Sequence, residues 1–179
     1  MPAYDTPSQA TAISTPTPAA TRASAPSPAP TPSPAPAPRA DSRALGLAHY
    51  AARGVLEHVL GGHGLTFQQQ VALRVAVAAG TPLTAEELVD QVRASLKADP
   101  ADIRTTLDEL MTKRLLVVDG AHLRATDAGR AVTAAVGAEI APVTARIWGG
   151  IPDEDLAAAG RVLAHVRERA DAELATLGS

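Results

Sequence analysis

Between Asp99 and Lys113 the sequence sets out a row of side chains suited to hydrogen-bonding with the edge of a flat polar partner. Asp99-Pro100 is an N-cap followed by proline at the first helical position, which fixes where a helix starts and therefore its phase. Counted from there at about 100° per residue, Ile103, Leu107 and Leu110, continued by the stem of Arg114, make one narrow apolar stripe. The opposite side carries Ala101, Thr105, Asp108 and Thr112, flanked by Arg104. Threonine hydroxyls can donate to or accept from base edges and phosphates, and an arginine fork can meet guanine or a phosphate. This side therefore has the chemistry to read a nucleic acid duplex, with Lys113 placed for a phosphate contact indifferent to sequence. Asp102 also has the more ordinary use of a carboxylate that complements a helix start.

Two other places add to this surface. Thr84 begins the preceding helix, where first-turn amides can hold a phosphate; capping alone also explains a threonine there, and both roles can coexist. His122 and Arg124 are the basic residues of a short hairpin that follows. Against them stands the charge. From Thr81 to Thr126 six basic residues face eight acidic ones, and the whole chain carries a net −3. Non-specific affinity for a polyanion should be poor and its salt dependence shallow, unless the cations gather on one side.

Other chemistries find less support. The five histidines, His58 and His63 among them, lie without the spacing of a ligand pair, and cysteine is absent, so no metal site, disulfide or thiolate chemistry is expected. Asp153-Glu154-Asp155 occupies the first turn of a helix, which accounts for its charge. There is no glycine-rich phosphate loop, nucleophile elbow or acid–base pair, so neither an enzyme nor a bound cofactor is expected.

The elements that must position these residues are mostly helices. Residues 1–40 are almost entirely Ala, Pro, Ser and Thr and cannot bury enough apolar surface to offset the entropy of ordering, so they read as a disordered arm without the basic start and apolar run of an export signal. From Asp41 a helical period runs to Gly61-Gly62. Thr66-Phe67-Gln68-Gln69 and Thr84-Ala85-Glu86-Glu87 are capping boxes opening the second and third helices, and Asp99-Pro100 opens the fourth. Leu115–Val118, the turn Asp119-Gly120 and Ala121–Ala125 read as a hairpin. Thr126 caps a long fifth helix with Val132, Val136, Ile140, Val143 and Ile147 on one side; Pro152 begins a sixth with Leu156, Leu163, Val166, Ala170, Leu174 and Leu177. No apolar run reaches the length of a membrane span, since Arg74 interrupts Val71–Ala79, and a cytoplasmic location fits.

The order of Leu65-Thr66-Phe67-Gln68-Gln69, Leu83-Thr84-Ala85-Glu86-Glu87-Leu88, Ile103–Leu110 with Leu115-Leu116, and Leu123-Arg124-Ala125-Thr126-Asp127-Ala128-Gly129 resembles the MarR family of transcription regulators over roughly Leu45 to Leu177. The resemblance implies a mainly α fold: a winged helix-turn-helix core, 66–126, with a short two-stranded β-wing, and long dimerisation helices at 41–62 and 127–179 within one domain, 41–179. It implies a homodimer whose fourth helix enters the major groove of a pseudo-palindromic operator in double-stranded DNA, a repressor relieved by a small-molecule effector bound where the dimerisation helices meet the core. Independently, the apolar stripes of the first, fifth and sixth helices exceed what the small core can cover, which also calls for a second copy. Trp148 could line an effector pocket with Tyr50 or His58, or pack at the dimer interface. The turn Asp119-Gly120 lacks the arginine that family carries at its wing tip, and the run Gln91–Asp99 is longer than its usual link between the third and fourth helices. The competing reading is a winged-helix module that binds protein and little DNA.

Overall fold

The computed structural model describes residues 39–177, so all of the expected arm except Arg39 and Ala40 lies outside the described residues. Six helices and a small sheet follow in the order α1 (Ser42–Gly62), α2 (Phe67–Ala78), β1 (Leu83–Thr84), α3 (Ala85–Leu96), α4 (Pro100–Thr112), β2 (Leu116–Asp119), β3 (His122–Ala125), α5 (Asp127–Trp148) and α6 (Asp153–Leu177). Each start anticipated from a cap is a cap. Thr66 accepts from the Gln69 N–H while the Gln69 amide oxygen accepts from the Thr66 N–H, both at 3.2 Å. Thr84 and Glu87 repeat the arrangement, and Asp99 accepts from Ala101 at 2.7 Å. Each such cap stabilises its helix by about 1 kcal/mol.

α2 is the hub, packing against α1, α3, α4 and α5. Leu60, Leu73, Leu88, Ile103, Leu110, Leu116 and Val136 meet around it as one buried cluster. On α4 the inward side is Ile103, Thr106, Leu107 and Leu110. Thr106 fits there because its hydroxyl donates to the Asp102 carbonyl at 3.0 Å. Arg114 departs from the expected stripe: it is exposed with φ 59°, because the helix has already ended. The Arg114 N–H reaches the Met111 carbonyl and the Leu115 N–H the Leu110 carbonyl, the paired bonds of a Schellman end, which demand a left-handed residue at this position.

The wing also differs from expectation in register. Asp119 pairs with His122, so the two-residue loop is Gly120-Ala121, one position later than the Asp119-Gly120 turn read from the sequence. Gly120, at φ 63°, supplies the positive φ that the first loop position of such a hairpin needs. β1 joins the other edge of β3 through Leu83↔Leu123 and Thr84↔His122, giving a three-stranded antiparallel sheet in the order β1-β3-β2. α3 extends to Leu96, so only Lys97, Ala98 and Asp99 separate it from α4 and the long run Gln91–Asp99 is mostly helix.

α6 buries no residue. Lys97 Nζ, just past α3, lies 3.0 Å from Asp171 Oδ1 on α6. Among the described residues no helix is long and apolar enough to cross a membrane.

Candidate nucleic-acid interface and ligand cavity

α3 and α4 form a helix-turn-helix with the wing beside it, and the surface they share contains most of the residues singled out above. Ala101, Asp102, Arg104, Thr105, Asp108 and Thr112 are all exposed on α4. The Thr105 hydroxyl donates to the Ala101 carbonyl at 3.1 Å and Thr112 to the Asp108 carbonyl at 2.9 Å. Their oxygens are thereby oriented as acceptors, the same polarity as the Asp108 carboxylate between them.

Arg104, Lys113 and Arg124 on this surface each have a protein partner. Arg104 Nη2 lies 3.0 and 3.2 Å from the two carboxylate oxygens of Glu86 on α3. Lys113 Nζ donates to the Gly64 carbonyl at 2.6 Å and to Gln69 Oε1 at 2.7 Å, while the Gln69 amide donates to Glu109 at 2.6 Å. Lys113 thus buttresses the α1–α2 junction against the end of α4. Arg124 Nε donates to Asp119 Oδ2 at 2.9 Å across the wing. His122 is exposed on β3 opposite Thr84. The Thr84 N–H and hydroxyl both donate to Glu87, at 2.8 and 2.9 Å. Those two bonds, with a smaller contribution from the nearby His122, hold the Glu87 carboxyl below its ordinary value.

A cavity of about 650 Å³ opens between α1, α2 and α5. Val55, Leu56, Phe67, Val136, Ile140 and Trp148 make its walls apolar, and Gln70, Arg74, Thr133 and Thr144 are its polar side chains. Of the three residues suggested for an effector pocket, the structure brings only Trp148 to this wall; Tyr50 and His58 do not line it. Tyr50 is 70% exposed and stacks edge-on with His49 instead, because it lies on the outer side of α1. Gln70 went unremarked in the sequence. It is 8% exposed, and its Oε1 has no hydrogen-bond partner among the described residues. A polar residue three and seven positions before Leu73 and Val77, on the buried side of α2, was the available signal.

No family model and no curated protein matches this chain. Solved structures do. A MarR family transcriptional regulator from Rhodococcus sp. RHA1 aligns at 23% identity with TM-score 0.57, over 68% of this chain and 88% of its own. CouR from Rhodococcus jostii, bound to p-coumaroyl-CoA, aligns at 22% and 0.58 over 68% and 87%. A MarR family protein from Mycobacterium tuberculosis, in complex with DNA, aligns at 21% and 0.54 over 72% and 98%. The fold is that of MarR family regulators. In this MarR-type fold α3 and α4 are the helix-turn-helix, β2 and β3 the wing, and α1, α5 and α6 the long flanking helices. Among the described residues no group of three metal-binding side chains gathers anywhere in it.

Proposed function

We propose that this chain is a sequence-specific transcription regulator that binds double-stranded DNA as a homodimer, with α4 in the major groove of each half of a pseudo-palindromic operator. The observation that carries the proposal is the outward side of α4, where Arg104, Thr105, Asp108 and Thr112 stand exposed on a helix whose other side is fully anchored in the core. That polarity suits an arginine on guanine and acceptors facing base amino groups. The solved Mycobacterium tuberculosis relative in complex with DNA supports the same use of the fold. The test begins with a duplex enriched from a randomised pool by the purified chain. Arg104→Ala is expected to weaken binding to it by about 1–3 kcal/mol and to relax preference at one base pair per half-site. An equal loss on every sequence would remove Arg104 as a base reader.

One observation favours a second reading, a module that docks on protein: Asp102, Asp108 and Glu109 make the exposed side of α4 acidic overall. Failure of the chain to enrich any duplex at low salt would select that reading.

The cavity between α1, α2 and α5 serves, in this proposal, a small effector with an apolar body, a hydrogen-bond donor for Gln70 Oε1 and an anionic group for Arg74. A buried acceptor left without a partner costs about 1–3 kcal/mol, so Gln70→Leu is expected to raise the unfolding midpoint of the free chain. It is also expected to abolish any midpoint shift that a panel of aryl carboxylic acids produces in the unaltered chain. Retention of that shift by Gln70→Leu would place the ligand elsewhere.

A further inference from the structure

Resting on the DNA-reading proposal, we propose that Glu86 is a specificity-determining residue: it orients the Arg104 guanidinium toward a base edge and cancels its attraction for the phosphate backbone. The geometry points to this because Glu86 engages one nitrogen only. Arg104 Nη2 meets both Glu86 oxygens, at 3.0 and 3.2 Å, and the described residues give Nε and Nη1 no other acceptor. A guanidinium has five donors, so the pair leaves enough of them to span guanine O6 and N7 while Glu86 stays in place. A phosphate offers Arg104 only an exchange of one anion for another, and it would leave a carboxylate beside the polyanion. Reading a base costs no such exchange.

Beyond its place in the first turn of α3, where a carboxylate complements the helix dipole, Glu86 makes no cap. The capping box of α3 belongs to Glu87, whose carboxylate takes the Thr84 N–H and hydroxyl. Glu86 is exposed, and its hydrogen-bond partner lies 18 positions away on α4, so the pair joins the two helices of the reading unit. Such an exposed pair contributes little to stability. Its effect falls instead on where the arginine points and on the net charge the duplex meets.

The experiment compares Glu86→Gln with the unaltered chain on two probes, the enriched duplex and the unselected pool, over a range of salt. Freed of Glu86, Arg104 becomes an ordinary phosphate contact. Binding to the unselected pool is expected to tighten about fivefold and the slope of log affinity against log salt to steepen by about 0.9, with little gain on the enriched duplex. Asp90→Asn removes the same charge from the same helix without touching Arg104 and is expected to leave the ratio between the probes unchanged. The inference is overturned if Glu86→Gln moves both probes equally or neither, or if Asp90→Asn has the same effect. Absence of duplex binding by the unaltered chain would instead sink the DNA reading beneath it, so the two failures are distinguishable.

Discussion

Replacing Gly129 with alanine is expected to lower the unfolding midpoint by on the order of 10 °C, the consequence of a destabilisation of about 3 kcal/mol. A Cβ at this position would come 2.3 Å from the Leu115 carbonyl oxygen and 3.2 Å from Leu73 Cδ1. The nearer atom is backbone, so no rotamer change relieves the clash. Nor can the carbonyl retreat freely: it accepts from the Thr126 N–H at 3.0 Å and lies 3.2 Å from the Thr126 hydroxyl, which also donates to the Arg114 carbonyl at 2.8 Å. The same hydroxyl oxygen accepts from the Gly129 N–H and caps α5. Moving Leu115 away therefore loosens the cap that fixes α5 against the wing and the end of α4. Gly137, farther along the same helix, has nothing within 4 Å of an added Cβ. Gly137→Ala is expected to stabilise the chain by up to about 1 kcal/mol through helix propensity. Thermal melts followed by circular dichroism compare the two, and midpoints within a degree or two of each other would show that the close approach at Gly129 is not present in solution.

That junction also shows how far the sequence was legible. Thr126 could be read as a cap from its place before an apolar period, because a cap is a local relation between residues three apart. The same holds for Thr66, Thr84 and Asp99, and it is why every helix of the core starts where its cap stands. The exposed row on α4 was legible too, since the cap sets the phase of everything after it. What could not be read were relations across long separations. Nothing near Lys113 in the chain indicates that its ammonium meets Gly64 and Gln69, 49 and 44 positions away, or that Glu86 waits for Arg104. The wing register slipped by one residue because Asp-Gly and Gly-Ala both suit a two-residue loop, and only pairing of Leu123 with β1 on one side and Val118 on the other decides between them. Two-residue β1 carries no periodic signal at all. The cavity was placed by analogy near Trp148, but its polar residue, Gln70, sits on the buried side of α2, where only the packing of α1 and α5 reveals an amide without a partner.

Introducing glutamate at both Leu163 and Val166 is expected to leave a folded monomer whose affinity for the enriched duplex is reduced about 10²- to 10⁴-fold, the factor lost when two linked readers become one. The reasoning begins with α6, a helix of 25 residues that buries none of them. Leu163 is 45% exposed and Val166 43%, with Leu174 and Leu177 continuing the row. Leu45, Leu47 and Tyr50 on α1, and Ile147, Trp148 and Ile151 at the end of α5, expose more apolar surface on the flanking helices. Apolar surface on this scale is costly to leave in water, and a second copy can cover it with the same residues it leaves open. Each glutamate would then place a charge in a desolvated seam, a cost repeated in both copies by symmetry. Because neither side chain touches the core around α2, the winged unit should keep its cooperative melt, which separates loss of association from loss of fold. Sedimentation equilibrium gives the association state, and titration of the full duplex and of a single half-site gives the two affinities. A variant that remains dimeric would show that α6 does not form the seam. A monomer that binds the full duplex as tightly as the unaltered chain would show that reading by α4 does not depend on pairing.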